Sequence, residues 1–137
     1  MWTSGKWLSP STSALVANRI RMETVAANVA NANSIEDANG ENVPFRRRIA
    51  ILSEGDTATG KADGVHVRQI MLDPAPFMER HQPDHPLADS EGYVKYPNIN
   101  PINEQVNALE IARAYEANIQ AAEATKAMMQ SALRLLA

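Results

Sequence analysis

The sequence predicts an α+β chain: long N- and C-terminal helices, paired as a coiled coil, enclose a small β-rich, extended middle. Three observations predict it. Residues 11–39 and 102–137 contain neither glycine nor proline, and all of both but Gly5, Pro10 and Pro101 fall between them. Apolar residues recur by fours and threes along the C-terminal segment. The middle alternates apolar and polar positions between turn residues. The expected layout is a tail at 1–10, a paired-helix domain from 11–35 and 100–137, and a middle segment at 36–99.

The first helix is expected to start at "SPST", with Ser9 as cap and Pro10 at the first helical position, where the missing N–H costs nothing. Its apolar stripe runs Leu15, Met22, Val25, Val29 and Ala32, with Asn18 filling the gap. In "VAANVANANS" (25–34), Asn28, Asn31 and Asn33 sit among small apolar residues. Asparagine is a poor interior helix residue because its amide competes for backbone groups, so the helix is expected to fail around Asn31–Ser34.

The last helix has the clearest start. In "NINPINE", Asn100 is the cap, Pro101 the first helical residue and Glu104 an acid against the positive helix end. A seam of Ala108, Ala112, Tyr115, Ile119, Ala122, Lys126, Met129, Leu133 and Leu136 follows. Unbroken, this segment reaches roughly 54 Å. So long a helix cannot bury itself in a chain of 137 residues and needs a partner along its length.

In the middle, "VPFRRRIAI" places Val43, Phe45, Ile49 and Ile51 on one face of an expected strand and Arg46 and Arg48 on the other. "GVHVRQIML" is a second β-like run, and a hairpin with a long mobile loop at about 54–64 joins the two. "DPAPFMERHQPDHPLADSEG" has four prolines and is expected to be extended.

Composition narrows the function. With 13 basic and 16 acidic residues the net charge is −3, which is no footprint for nucleic acid or an anionic membrane. Cysteine is absent, so thiol chemistry and disulfides are excluded. No apolar run approaches the roughly 20 residues of a membrane span, and "MWTSGKWLSPST" has no apolar core of a cleaved secretory signal. His81 and His85 are four apart, but Pro83 and Pro86 forbid the helix that would aim both at one metal ion. No serine sits in a G-x-S-x-G setting and no glycine-rich phosphate loop is present. The reading is no catalytic residue, no cofactor, no metal and no small-molecule substrate. Apolar content is 45%, much of it alanine, and aromatics are 5%, so burial per residue is low and self-association is expected to supply the rest. The row Arg46–Arg48 is a solvated or subunit-facing strand side, able to pair with acids of a neighbouring copy.

These segments together resemble the flagellar axial proteins of bacteria, most closely the proximal rod branch. The resemblance lies in "SALVANRIRMETVAANVANANS" (13–34), "PFRRR" (44–48), "DPAPF" (73–77), "HPLADSEGYVKYPNINPINE" (85–104) and "EIARAYEANIQAAEATKAMM" (110–129). These blocks cover about two-thirds of the chain in family order. The first twelve residues and "SEGDTATGKADG" do not match.

The resemblance implies a structural, non-enzymatic subunit of the flagellar basal body. Such subunits are exported unfolded by the flagellar type III apparatus without a cleaved signal. In the periplasm they polymerise into a helical rod that transmits torque and encloses the export channel. The implied partners are copies of the chain itself, other proximal and distal rod proteins, and membrane-ring and export-gate components. The residues expected to carry helix packing and assembly are Leu15, Asn18, Met22, Val25, Asn28, Val29 and Asn31 on the first helix. On the last they are Ala112, Tyr115, Asn118, Ile119, Ala122, Met129 and Leu133. Small side chains let helix axes approach closely, and the amides fix register. The alternatives are another axial subunit and, from a different class, a soluble helical export chaperone or binding module.

Overall fold

Asn100 caps its helix as its sequence context requires: its Oδ1 accepts from the Ile102 N–H at 3.0 Å, and Pro101 follows where no backbone donor is needed. The computed structural model describes residues 9–56 and 60–137. The described residues form six elements in the order α1 (Ser9–Ala30), β1 (Arg48–Asp56), β2 (Lys61–Leu72), β3 (Met78–His81), β4 (Tyr93–Tyr96) and α2 (Pro101–Leu135). The fold is α+β. The tail at 1–8 and loop residues 57–59 lie outside the described residues, as does the Ser9 side chain expected to cap α1.

α1 ends where the amides begin. Asn31 Nδ2 donates to the Ala27 carbonyl at 2.8 Å, and Ser34 Oγ donates to Asn31 Oδ1 at 3.1 Å. These bonds replace the ladder that the helix abandons. Ala32, placed at the end of the expected stripe, is in the turn beyond.

β1 and β2 form the expected antiparallel hairpin, with Arg48 opposite Leu72 and Ile51 opposite Gln69. Two details differ from the sequence reading. Residues 43–47 are not strand: the Phe45 N–H donates to the Ser34 carbonyl at 2.9 Å, drawing this segment onto the end of α1. Much of the expected loop at 54–64 is strand, since β1 continues to Asp56 and β2 starts at Lys61, with irregularities at Ile51/Leu52 and Glu54/Asp56.

The proline-rich segment is not wholly extended. β3 and β4 form a second antiparallel hairpin, with Met78 opposite Tyr96 and His81 opposite Tyr93. Its corner turns at Gly92, whose φ of 85° suits glycine.

α1 and α2 lie antiparallel, because Asn28 meets Glu104 while Asn18 and Met22 line a cavity with Ala112 and Tyr115. α1 has 22 residues and α2 has 35, about 33 Å and about 52 Å of helix. α2 therefore overshoots its partner, and from Lys126 onward every residue but the half-buried Met129 is exposed. Among the described residues the buried hydrophobic side chains are Ala17, Val25, Val94, Ile99 and Ile111, joined by Pro44 and Pro97.

Candidate functional site

The centre of the molecule is polar. Glu104 is 1% exposed and Asn28 is also 1% exposed, and they are among the largest fully buried side chains. A buried carboxylate is tolerated only when paired and hydrogen-bonded. Arg47 supplies the charge: its Nε donates to Glu104 Oε1 at 2.6 Å, and its Nη1 donates to Asp73 Oδ2 at 3.4 Å. Burial acts to lower the Arg47 pKa. The hydrogen bond and charge of Glu104, then those of Asp73, outweigh it and hold the guanidinium above its ordinary value.

Asn28 connects this pair to the sheet. Its Oδ1 accepts from the Arg48 N–H and its Nδ2 donates to the Arg48 carbonyl, both at 2.8 Å, with a further contact from Nδ2 to Glu104 Oε2 at 3.4 Å. The end of α1, the start of β1 and the first turn of α2 thus meet at one point. Arg46 performs a similar task on the next segment, donating through Nη1 to the carbonyls of Asp73 (2.9 Å) and Ala75 (3.0 Å) and lying 4.2 Å from the Phe77 ring. Arg46 and Arg47, read from sequence as open to acids of another copy, are engaged within the chain. The exposed Arg48 side chain lies 5.1 Å from the Phe45 ring.

Of the residues expected to pack the helices, Val25, Asn18 and Asn28 are buried, and Leu15, Met22 and Asn31 are half-buried. Asn18 Oδ1 accepts from Arg21 Nη1 at 3.0 Å. Val29 is exposed. On α2, Asn118, Ile119, Ala122 and Met129 are half-buried, while Ala112, Tyr115 and Leu133 are exposed. The inward line of α2 begins at Glu104 and passes through Ile111, one position before the expected Ala112. Between the two helices Val25, Asn18 and Met22 of α1 share cavities with Ile111 of α2, the last two also with Ala112 and Tyr115.

The outer surface is correspondingly apolar. Ile102, Val106 and Leu109 are 69%, 52% and 53% exposed on the first turns of α2, and Leu133, Leu135 and Leu136 project from its end. Exposed apolar patches of this kind mark contact surfaces. A cleft of about 460 Å³ beside Arg47 is lined by Asp73 and the amides of Asn98, Asn100, Asn103 and Asn107. Among the described residues no group of three or more His, Cys, Asp or Glu is placed to hold a metal ion. Nor is any described helix long and apolar enough to cross a membrane. His81 stacks edge-on against Tyr93, and His85 Nδ1 accepts from the Leu87 N–H at 3.0 Å, so both serve the second hairpin.

Sequence reasoning placed Glu104 only against the helix dipole and overlooked Asp73 as its fellow acid. The signal available was the spacing of single acids around an arginine row, which specifies no partner.

Comparison with known proteins gives two family matches, one at each end. Residues 10–34 match the family model described as flagella basal body rod protein, and residues 90–135 match the flagellar basal body rod FlgEFG protein C-terminal model. The chain is 38% identical to the flagellar basal-body rod protein FlgC of Bacillus subtilis, over 93% of this chain and 95% of the relative. It is 38% identical to the protein of that name from Salmonella typhimurium and 37% identical to that from Yersinia enterocolitica, each over 90% of both chains.

Proposed function

The chain belongs to the family of the flagellar basal-body rod protein FlgC, and from that membership we propose how it works as a structural subunit of the rod. The carrying observation is similarity along nearly the whole of both chains, with separate rod matches on the segments that form α1 and α2. The family is a structural one.

In the proposed mechanism α1 and α2 pack among the helices of neighbouring copies, and the two hairpins face outward. The apolar surface of α2 supports this. Ile102, Val106, Leu109 and the projecting end from Lys126 are exposed in the single chain, and assembly covers them. Small residues between the helices, such as Ala112 beside Asn18 and Met22, admit close approach of axes. Torque then passes through many shallow contacts acting in parallel. The polar clasp of Asn28, Arg47, Arg48 and Glu104 fixes the outer hairpin to the helices, so shear on one is felt by the other. The partners are further copies, the other proximal and distal rod proteins, and ring and export-gate components. The site of assembly is the periplasmic part of the basal body, reached through the flagellar export apparatus without a cleaved signal.

Deleting the gene tests this. Cells without the chain lack rods and hooks and do not swim, and the tagged chain supplied from a plasmid restores swimming and co-purifies with basal bodies. A deletion strain with complete flagella overturns the reading.

A further inference from the structure

Where the chain covers a strand edge, it does so with a side chain from outside the hairpin. Asn28 covers β1 at Arg48, and Ser13 Oγ accepts from the Val65 N–H on β2 at 3.1 Å. α1 therefore crosses the first hairpin on a diagonal, from the edge of β1 at its start to the edge of β2 nearer the turn. Among the described residues, two opposite corners stay open. At one, residues 68–72 of β2 are all exposed; at the other, Leu52 and Glu54 of β1 are exposed.

The register shows which backbone groups face out. Arg48 gives both of its backbone groups to Asn28, so the Arg48–Leu72 pair is not hydrogen-bonded across the ladder, and by alternation neither is Ala50–Ile70. The N–H and C=O of Ile70 and Leu72 thus point away from β1. Past the irregularity at Ile51/Leu52, the Val65 N–H turned to Ser13 marks Glu54–Val65 as another outward pair, and Leu52 follows the same alternation. Unpaired edge groups are a template for a further strand, and a lone two-stranded hairpin gains stability from a third.

We propose that these corners are the two halves of one interface: the free β2 edge of one copy of this chain receives the free β1 edge of the next. The inference rests on the rod reading and names one contact within it. Leu52, Ile70 and Leu72 are 41%, 51% and 56% exposed, so pairing also buries an apolar patch. Glu54 on one half meets the opposite charge of Arg68 on the other. Because the halves differ, each junction leaves a new free corner on both outer copies, and the contact propagates as an open array without closing into a dimer.

The chain has no cysteine, so introduced thiols report this contact directly. Leu52→Cys and Ile70→Cys chains are co-expressed in cells lacking the parent, and basal bodies are isolated and oxidised. A disulfide-linked dimer is expected from the mixture and not from either variant alone. Ile70→Pro removes an N–H that β1 does not use, at an edge where proline is tolerated. It is expected to abolish incorporation, whereas Ile70→Thr, which keeps the N–H, incorporates normally. The inference is overturned if both cysteine variants enter basal bodies without forming the mixed dimer, or if Ile70→Cys alone cross-links, or if Ile70→Pro incorporates like the parent. Absence of the parent chain from basal bodies, scored before oxidation, overturns the rod reading itself and this contact with it.

Discussion

Asn28 holds Arg48 by both backbone groups, accepting its N–H and donating to its carbonyl at 2.8 Å each. Asn42 treats Lys95 in the same way, with its Oδ1 accepting from the Lys95 N–H at 2.8 Å and its Nδ2 donating to the Lys95 carbonyl at 3.1 Å. A side-chain amide has the donor–acceptor pair of a peptide group, so each asparagine acts as one residue of a missing neighbouring strand. This explains why an amide stands at Asn28, among the small residues at the end of α1.

Asn28→Ala leaves the Arg48 groups without partners and is expected to cost about 1–3 kcal/mol. Asn28→Asp is expected to cost more, since it loses the donor and sets a second carboxylate against Glu104. Urea midpoints followed by circular dichroism give the order parent, alanine, aspartate. An aspartate variant as stable as the parent counts against the clasp.

The limits of the sequence follow from the same geometry. The helices were legible because Asn100–Pro101 and Asn31–Ser34 specify their ends locally, and the first hairpin because "GVHVRQIML" carries its own β pattern. The strand start was misplaced because Val43–Arg47 alternates like a strand, while Arg46 is captured by carbonyls 27 and 29 residues away. The second hairpin was hidden by prolines and by strands of only four residues. The Asn28–Glu104 contact spans 76 residues and leaves no periodic trace.

Arg47→Met strands Glu104 without its cation. Loss of one partner of a buried pair costs about 3–5 kcal/mol, and the lower end applies here because the Arg47 side chain is 26% exposed. The double variant Arg47→Met/Glu104→Met is expected to recover most of that loss, giving a coupling energy of about 1–3 kcal/mol in a double-mutant cycle. Additive effects would show that the two groups do not interact. The folded guanidinium pKa is raised, so its contribution is complete below the ordinary value and declines only as pH rises through the folded one. No slope from Arg47 is expected across the neutral range.

Gly92→Ala tests the second hairpin. At φ +85°, an added Cβ meets His81 Nε2 at 3.2 Å and Pro83 Cγ at 3.2 Å. The left-handed backbone alone costs an L residue about 1–2 kcal/mol. The Gln82 N–H, which donates to the Gly92 carbonyl at 2.8 Å, is expected to exchange with solvent at least roughly tenfold faster. Amides of α2 far from this corner keep their parent rates. Unchanged exchange at Gln82 shows that the corner relaxes around the methyl group.

Leu133→Asp separates folding from assembly. Leu133 is 65% exposed on the part of α2 that overshoots α1, so a charge there meets water in the single chain. Its effect on monomer stability is expected to stay within about 0.5 kcal/mol. The proposed assembly covers the same position, where an unpaired carboxylate in an apolar contact would cost several kcal/mol. Ile119→Asp is less discriminating, since Ile119 is already half-buried and its loss weakens both states. Cells carrying Leu133→Asp are therefore expected to make and export the chain but fail to build rods or swim. If they swim like the parent, the projecting end of α2 is not an assembly surface, and contacts between copies must lie on the first turns of that helix and on the hairpins.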